Sequence, residues 1–285
     1  MKKILLFGAT GMAGHVVYSY LKEKNQYDIV NVVFRQKLNE ESIVVDVTNK
    51  DSVTALVLEQ KPDIIINCIG VLIRGSKSHP DNAIYINAYF PHLLKRLADE
   101  VNAKLVHVST DCVFTGNKGN YTENDFKDAD DVYGRSKALG EINNDKDLTI
   151  RTSIIGPELK TEGEGLFHWF MNQNGNVNGF TNAIWGGVTT IELAKAIEAA
   201  IKEKLTGLVH LSNGLPISKY DMLLLFKQTY NKDNILVLPF EGIPCDKSIA
   251  KSELFSYEVP TYNKMLTEML DWMRLHPAFY EEKYF

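Results

Sequence analysis

The sequence predicts an α/β protein built on a doubly wound parallel sheet. Three observations carry this. Short runs rich in Val and Ile alternate with helix-length amphipathic segments through the first half of the chain. The runs are apolar throughout rather than alternating, as in strands covered on both faces. A glycine triplet falls at the first junction between a run and a segment.

The elements follow in order. Strands are expected at KILLFG (3–8), DIVNVVF (28–34), SIVVDV (42–47), DIIINCIG (63–70), KLVHVS (104–109) and LTIRTSI (148–154). Helices are expected at 12–24, 50–60, 82–102 and 131–144, and right-handed crossovers place them on both sheet faces. After Pro157 the pattern loosens, punctuated by Gly163, Gly165, Gly175 and Gly179. A helix at about 190–203 opens with a capping box of Thr189 and Glu192 and has an apolar face of Leu193, Ala194, Ile197, Ala200 and Ile201. GLVHLS (207–212) reads as a late strand, and 218–230 and 261–275 read as helices. The stripe of Tyr262, Leu266, Met269 and Met273 reads as core packing.

Composition narrows the function. The formal net charge of −5 over 285 residues argues against non-specific nucleic-acid binding. Cys68, Cys112 and Cys245 have neither metal-type spacing nor a disulfide framework, so no metal is expected and a reducing compartment is. The opening MKKILLFGATG has too short an apolar stretch for a signal peptide, and Ile64–Ile73 is too short to span a bilayer. A cytoplasmic protein without a membrane partner is expected.

The first chemical motif is FGATGMAG. Gly8 permits a tight turn, Gly11 lets backbone approach a phosphate, and Gly14 packs helix on strand, with Thr10 and Met12 in the same loop. The helix N-terminus then offers N–H groups and a positive dipole end to a pyrophosphate. This makes the sheet Rossmann-type. The second strand ends in Phe34, Arg35, Gln36 and Lys37, with no carboxylate for a ribose 2′-hydroxyl. Arg35 suits a 2′-phosphate, which favours NADP(H) over NAD(H).

The second motif is Tyr133 with Lys137, four apart on one helix face. A lysine ammonium near a phenol lowers its pKa and suits the tyrosine to proton transfer at a carbonyl/alcohol pair. Tyr18/Lys22 and Tyr20/Lys24 share the spacing but lie away from the cofactor-facing end of their helix. Only Tyr133 follows the Ser109-Thr110-Asp111 end of a strand.

With these residues the chain resembles the extended short-chain dehydrogenase/reductase family. Within it, FGATGMAG, VSTDCVFTG, VYGRSKALGE and IRTS are most similar to the dTDP-4-dehydrorhamnose reductases. The similarity is strongest over 1–155. It implies that Thr110 bonds the substrate oxygen, Tyr133 is the general acid/base, and Lys137 holds the cofactor ribose and supports the tyrosine. Asp46 and Val47 would lie beside the adenine, and Cys68, Ile69 and Gly70 along the phosphates and ribose. Val71, Asp111, Cys112, Ile154 and Trp185 are the candidate substrate contacts. Residues 1–156 would form the NADP-binding domain and 157–285 mainly a smaller α/β substrate domain, with about 181–210 packing back on the first. The implied reaction is NADPH-dependent reduction at C4 of a nucleotide-linked 4-keto-6-deoxysugar, for cell-surface polysaccharide precursors, by a monomer or homodimer.

Two departures bear on the sugar. The rhamnose-type enzymes commonly read RTSW and TDYVF where this chain has Ile154 and Cys112. A different sugar, such as a UDP-linked 2-acetamido-6-deoxysugar, fits that change. Thr110 and Cys112 also have the spacing of the epimerase–reductases that make GDP-fucose, in which a thiol exchanges protons beside the ketone. His168 is the candidate second acid/base for that alternative. The third reading is a non-catalytic NADP-binding subunit, like the regulatory subunit of methionine adenosyltransferase.

Overall fold

The structure, a computed structural model, describes every residue from Met1 to Phe285. Its first half is β1 (Lys2–Phe7), α1 (Gly14–Glu23), β2 (Tyr27–Val33), β3 (Ile43–Val44), α2 (Lys50–Gln60) and β4 (Ile64–Asn67). Then come α3 (Ile73–Ser78), α4 (Pro80–Ala83), α5 (Phe90–Glu100), β5 (Lys104–Ser109), α6 (Val132–Leu139) and β6 (Leu148–Arg151). The second half holds β7 (Ile154–Ile155), α7 (Leu166–Met171), β8 (Gly175–Phe180), β9 (Ala183–Trp185), β10 (Val188–Thr189), α8 (Thr190–Lys202) and β11 (Gly207–His210). It closes with β12 (Ile217–Ser218), α9 (Lys219–Thr229), β13 (Ile235–Phe240), β14 (Cys245–Asp246), α10 (Tyr262–Leu275) and α11 (Pro277–Tyr284).

Seven strands form one sheet in the order β11-β6-β5-β4-β1-β2-β3, and every pairing is parallel. The register puts Leu5 between Val30 and Ile65. Successive side chains of β1 feed opposite faces. Ile4 and Leu6 join a cluster with Val16 and Val17 of α1, Ile197 of α8 and Met269 of α10. Leu5 and Phe7 join a second cluster with Val53 and Val57 of α2 and Leu93, Leu94 and Leu97 of α5. This two-sided burial is what the unbroken apolar runs predict, at about 1.5–3 kcal/mol for each fully buried aliphatic side chain. The Met and aromatic stripe of α10 is likewise buried.

Differences from the expected elements have local causes. The segment 82–102 is not one α-helix, because Ile84–Tyr89 winds as a π-helix before α5 begins. Pro91 has no N–H to give the Asn87 carbonyl, and Phe90 N–H bonds back to Tyr85 O instead. The segment 131–144 stops at Leu139, beyond which the Thr149 hydroxyl bonds both the N–H and the carbonyl of Ile142. The strand 148–154 divides in two, with β7 leaving the main sheet to pair with β10. Thr189 caps α8, but the Glu192 carboxylate accepts from the Tyr257 hydroxyl at 2.6 Å rather than closing the box. The small pairings of β8 with β13, and of β9 with β12 and β14, and the helix α11 were not expected from the sequence.

Candidate active site

The carboxyl ends of β1, β4, β5 and β6 open into a cleft of about 520 Å³, where ligands gather in sheets of this kind. Thr110, Asp111, Cys112, Tyr133, Lys137 and Ile154 all line it. Three separate segments thus converge: the end of β5, the first two turns of α6, and the turn after β6.

Thr110 leaves the sheet in extended conformation, its hydroxyl donating to Asp111 Oδ1 at 3.0 Å and accepting Cys112 N–H at 3.2 Å. Asp131 caps α6 by accepting the Gly134 N–H at 2.7 Å, which sets the helix on which Tyr133 and Lys137 ride. Lys137 is 4% exposed and donates to the Val108 carbonyl oxygen at 2.8 Å. Burial pulls its pKa down to about 8, against the pull of Glu141 and Cys68. Tyr133 behaves otherwise than the spacing predicts. Burial, reinforced by the neighbouring Cys112, pushes its pKa up, and the Thr110 hydroxyl only partly offsets this. The phenol is therefore a protonated donor over the physiological range. Burial and then Asp111 push the Cys112 thiol up to about 12. Burial also raises Asp111, with Lys247 opposing it.

On the other side of the cleft lie Thr10, Gly11 and Met12, with Cys68, Ile69, Gly70 and Val71 beside them. Gly8 adopts φ +88°, and a Cβ on Gly14 would stand 2.0 Å from the Gly8 carbonyl oxygen, so turn and helix close only with glycine at both positions. α1 has no side-chain cap and no acidic residue in its first turn, leaving its positive end available to an anion. Thr10 also lines a second cleft of about 730 Å³ with Arg35 and Lys37. Arg35 lies over the Phe34 ring, 4.6 Å from its centroid. These features fit a dinucleotide with a phosphorylated end.

Four expected residues lie elsewhere. Asp46 and Val47 line neither cleft, and Asp46 Oδ1 instead accepts from the backbone and hydroxyl of Thr48. Trp185 is buried behind the cleft and donates to Ser153 Oγ at 2.7 Å. His168 also lies outside the cleft lining. Its Nδ1 bonds the Tyr284 hydroxyl at 2.7 Å and its Nε2 the Thr161 carbonyl at 3.1 Å.

Two supports of the site carry little signal in the sequence. Asn87, buried in the π-helix, bonds both the N–H and the carbonyl of Val71 and the Ser136 hydroxyl, tying the loop after β4 to α6. An amide in an otherwise apolar stretch, just ahead of Pro91, was its only signal. Beneath Ser109, Glu141 accepts the serine hydroxyl at 2.8 Å and forms a two-point ion pair with Arg151 at 2.8 and 2.7 Å. Arg151 also reaches His210 and lies over the Phe114 ring.

Residues 1–251 match the family described as RmlD substrate binding domain. The chain belongs to that family. A dTDP-4-dehydrorhamnose reductase from Aggregatibacter actinomycetemcomitans is 31% identical over 54% of this chain, and the match spans about half (51%) of that relative's length. The methionine adenosyltransferase 2 subunit beta of Bos taurus is 23% identical over 85% of this chain and 76% of its own. Among solved structures, a dTDP-4-dehydrorhamnose reductase from Clostridium acetobutylicum superposes with TM-score 0.81 at 25% identity, covering 95% of this chain and 99% of that one. One from Bacillus anthracis in complex with NADP gives 0.80 at 24%, with the same coverages. The family therefore has here its Rossmann-type short-chain dehydrogenase/reductase fold, with the Thr110, Tyr133 and Lys137 side chains gathered in one cleft. No helix is long and apolar enough to cross a membrane.

Proposed function

We propose that this protein is an NADPH-dependent reductase of a nucleotide-linked 4-keto-6-deoxysugar, supplying precursors of cell-surface polysaccharide. The convergence of Thr110, Tyr133 and Lys137 in one cleft carries this reading. The relatives named as reductases, and the NADP bound to the Bacillus anthracis protein, support it.

NADPH, when bound, supplies the hydride that reduces the ketone. Gly8, Gly11, Gly14 and the α1 terminus would hold its pyrophosphate, Cys68, Ile69 and Gly70 would flank it, and Arg35 would take the 2′-phosphate. Thr110 and Tyr133 bind the substrate oxygen, and Tyr133 delivers the proton that turns the reduced ketone into an alcohol. Its raised pKa keeps that proton in place before the reaction. Lys137 holds the ribose and places a cation near the developing phenolate. Asp111, Cys112 and Ile154 face the substrate, with Val71 across the cleft from them and Trp185 acting from behind Ser153. Residues 1–156 carry the cofactor, and 157–285 chiefly shape the sugar-nucleotide side.

Plain reduction is favoured over epimerisation. The Cys112 thiol holds its proton, and His168 has both ring nitrogens engaged outside the cleft. The longer match to the methionine adenosyltransferase subunit favours a second reading, a non-catalytic NADP-binding protein. A panel of dTDP-, UDP- and GDP-linked 4-keto-6-deoxysugars separates the two. NADPH oxidation with any member supports the reductase, and tight NADPH binding without turnover on all of them supports the subunit.

A further inference from the structure

The two clefts share Thr10, Leu159 and Lys160, and α11 walls the larger one with Phe279, Tyr280 and Lys283. Two tyrosines of α11 turn inward. Tyr280 is 1% exposed, and its hydroxyl lies 2.8 Å from His15 Nε2. The other ring nitrogen, Nδ1, lies 2.8 Å from the Gly11 carbonyl oxygen. A carbonyl only accepts, so Nδ1 carries the proton, Nε2 accepts, and Tyr280 donates. Burial holds the His15 pKa down to about 4, which keeps the ring neutral.

The Gly11 carbonyl also accepts the His15 backbone N–H at 3.2 Å. Two bonds from one residue therefore fix the Gly11–Met12 peptide plane. In a trans peptide the Met12 N–H points opposite to that carbonyl, and both residues line the cleft. The far wall is held by the same helix. The Tyr284 hydroxyl accepts the Glu158 N–H at 2.8 Å, and the Lys283 ammonium donates to the Leu159 carbonyl. Glu158 Oε1 in turn accepts the Gly165 N–H at 2.7 Å.

We propose that α11 is an integral part of the dinucleotide site: Tyr280 fixes the phosphate loop through His15, and Tyr284 with Lys283 holds residues 158–165 against the opposite side. This rests on the reading that the cleft takes NADP(H). Tyr280 and Tyr284 are positioning residues, since their hydroxyls are spent on His15 and on the Glu158 N–H. A loop already set for its anion spends less binding energy on ordering. Without the Tyr280 hydroxyl, the buried Nε2 loses its donor. The ring is then held only by the Nδ1–H bond to the Gly11 carbonyl, and the unpaired Nε2 favours rotation toward a new donor, which weakens that bond.

Tyr280→Phe keeps the ring packing and removes the donor. The NADPH dissociation constant of the full chain, measured by titration, is expected to rise roughly three- to tenfold, the worth of one buried hydrogen bond. The KM for NADPH rises with it while the KM for the nucleotide sugar holds. Tyr284→Phe reads the second wall in the same way. A merely structural role would lower the thermal midpoint without this split. Wild type binding NADPH, with both variants binding it equally tightly, overturns the proposal and leaves the cofactor reading standing. Wild type that binds no dinucleotide overturns both.

Discussion

The Lys137 ammonium donates to the Val108 carbonyl oxygen at 2.8 Å, two residues before Thr110. One bond thus joins α6, which carries Tyr133, to the strand that delivers the Thr110 hydroxyl to the cleft. The cation is held by a carbonyl rather than a carboxylate, so burial dominates its titration and brings its pKa to about 8.

Turnover that needs charged Lys137 is expected to fall as pH rises through about 8. Stability should move the other way. Between about 8 and the ordinary lysine value the unfolded chain binds a proton that the folded chain does not, so Lys137 contributes a rise in stability with pH across that window. Lys104, also lowered by burial, adds a similar slope. The difference in denaturant midpoint between wild type and Lys137→Met isolates the Lys137 part, and a pH-independent difference would refute it.

Tyr133→Phe should lower kcat by about 10²–10⁴-fold, the usual worth of a positioned acid, with an unchanged circular dichroism spectrum. Turnover at the wild-type rate would move the acid elsewhere.

Glu141 and Arg151 have side chains only 1% exposed. Glu141→Gln leaves a buried guanidinium without its counter-charge, at a cost of about 3–5 kcal/mol. Urea unfolding measures this, and a loss within experimental error would show that His210 and the Phe114 face suffice for Arg151.

Arg35→Ala should reduce the preference for NADPH over NADH by about 10- to 100-fold, corresponding to about 1.5–3 kcal/mol for a charge-assisted contact. The ratio of kcat/KM values for the two cofactors is the readout. An unchanged ratio would shift the role to Lys37 or Lys160.

Cys112 keeps its proton up to about pH 12. Reduction in deuterated water should therefore place no deuterium on the carbon beside the ketone, as product mass spectrometry would show. Incorporation would restore the epimerase reading.

The sheet was legible because its strands are buried on both faces. The strand Ile64–Asn67, for example, is buried at all four positions and has no solvent-facing side to break its apolar run. The glycine loop and the Tyr133/Lys137 pair were legible because their spacing is local. What connects distant segments was not. His15 and Tyr280 lie 265 positions apart, and Glu141 reaches Ser109 and Arg151 together only because β6 lies beside β5. The strand β8 shows one buried face and begins and nearly ends in glycine, so its composition resembles a loop. Spacing suggested a lowered Tyr133 pKa, whereas the desolvation that raises it is a property of the packed cleft.

The strand β11 joins the sheet beside β6 but follows it by more than fifty residues. On a ribosome adding about 5–20 residues per second, the outer edge of β6 would wait roughly three to eleven seconds for its partner. Through that interval Leu148–Arg151 presents unpaired backbone, and the α1 face that α8 will cover stays bare. The nascent chain therefore carries an open sheet edge and a bare apolar helix face over this stretch of synthesis, whatever the stability of the finished fold.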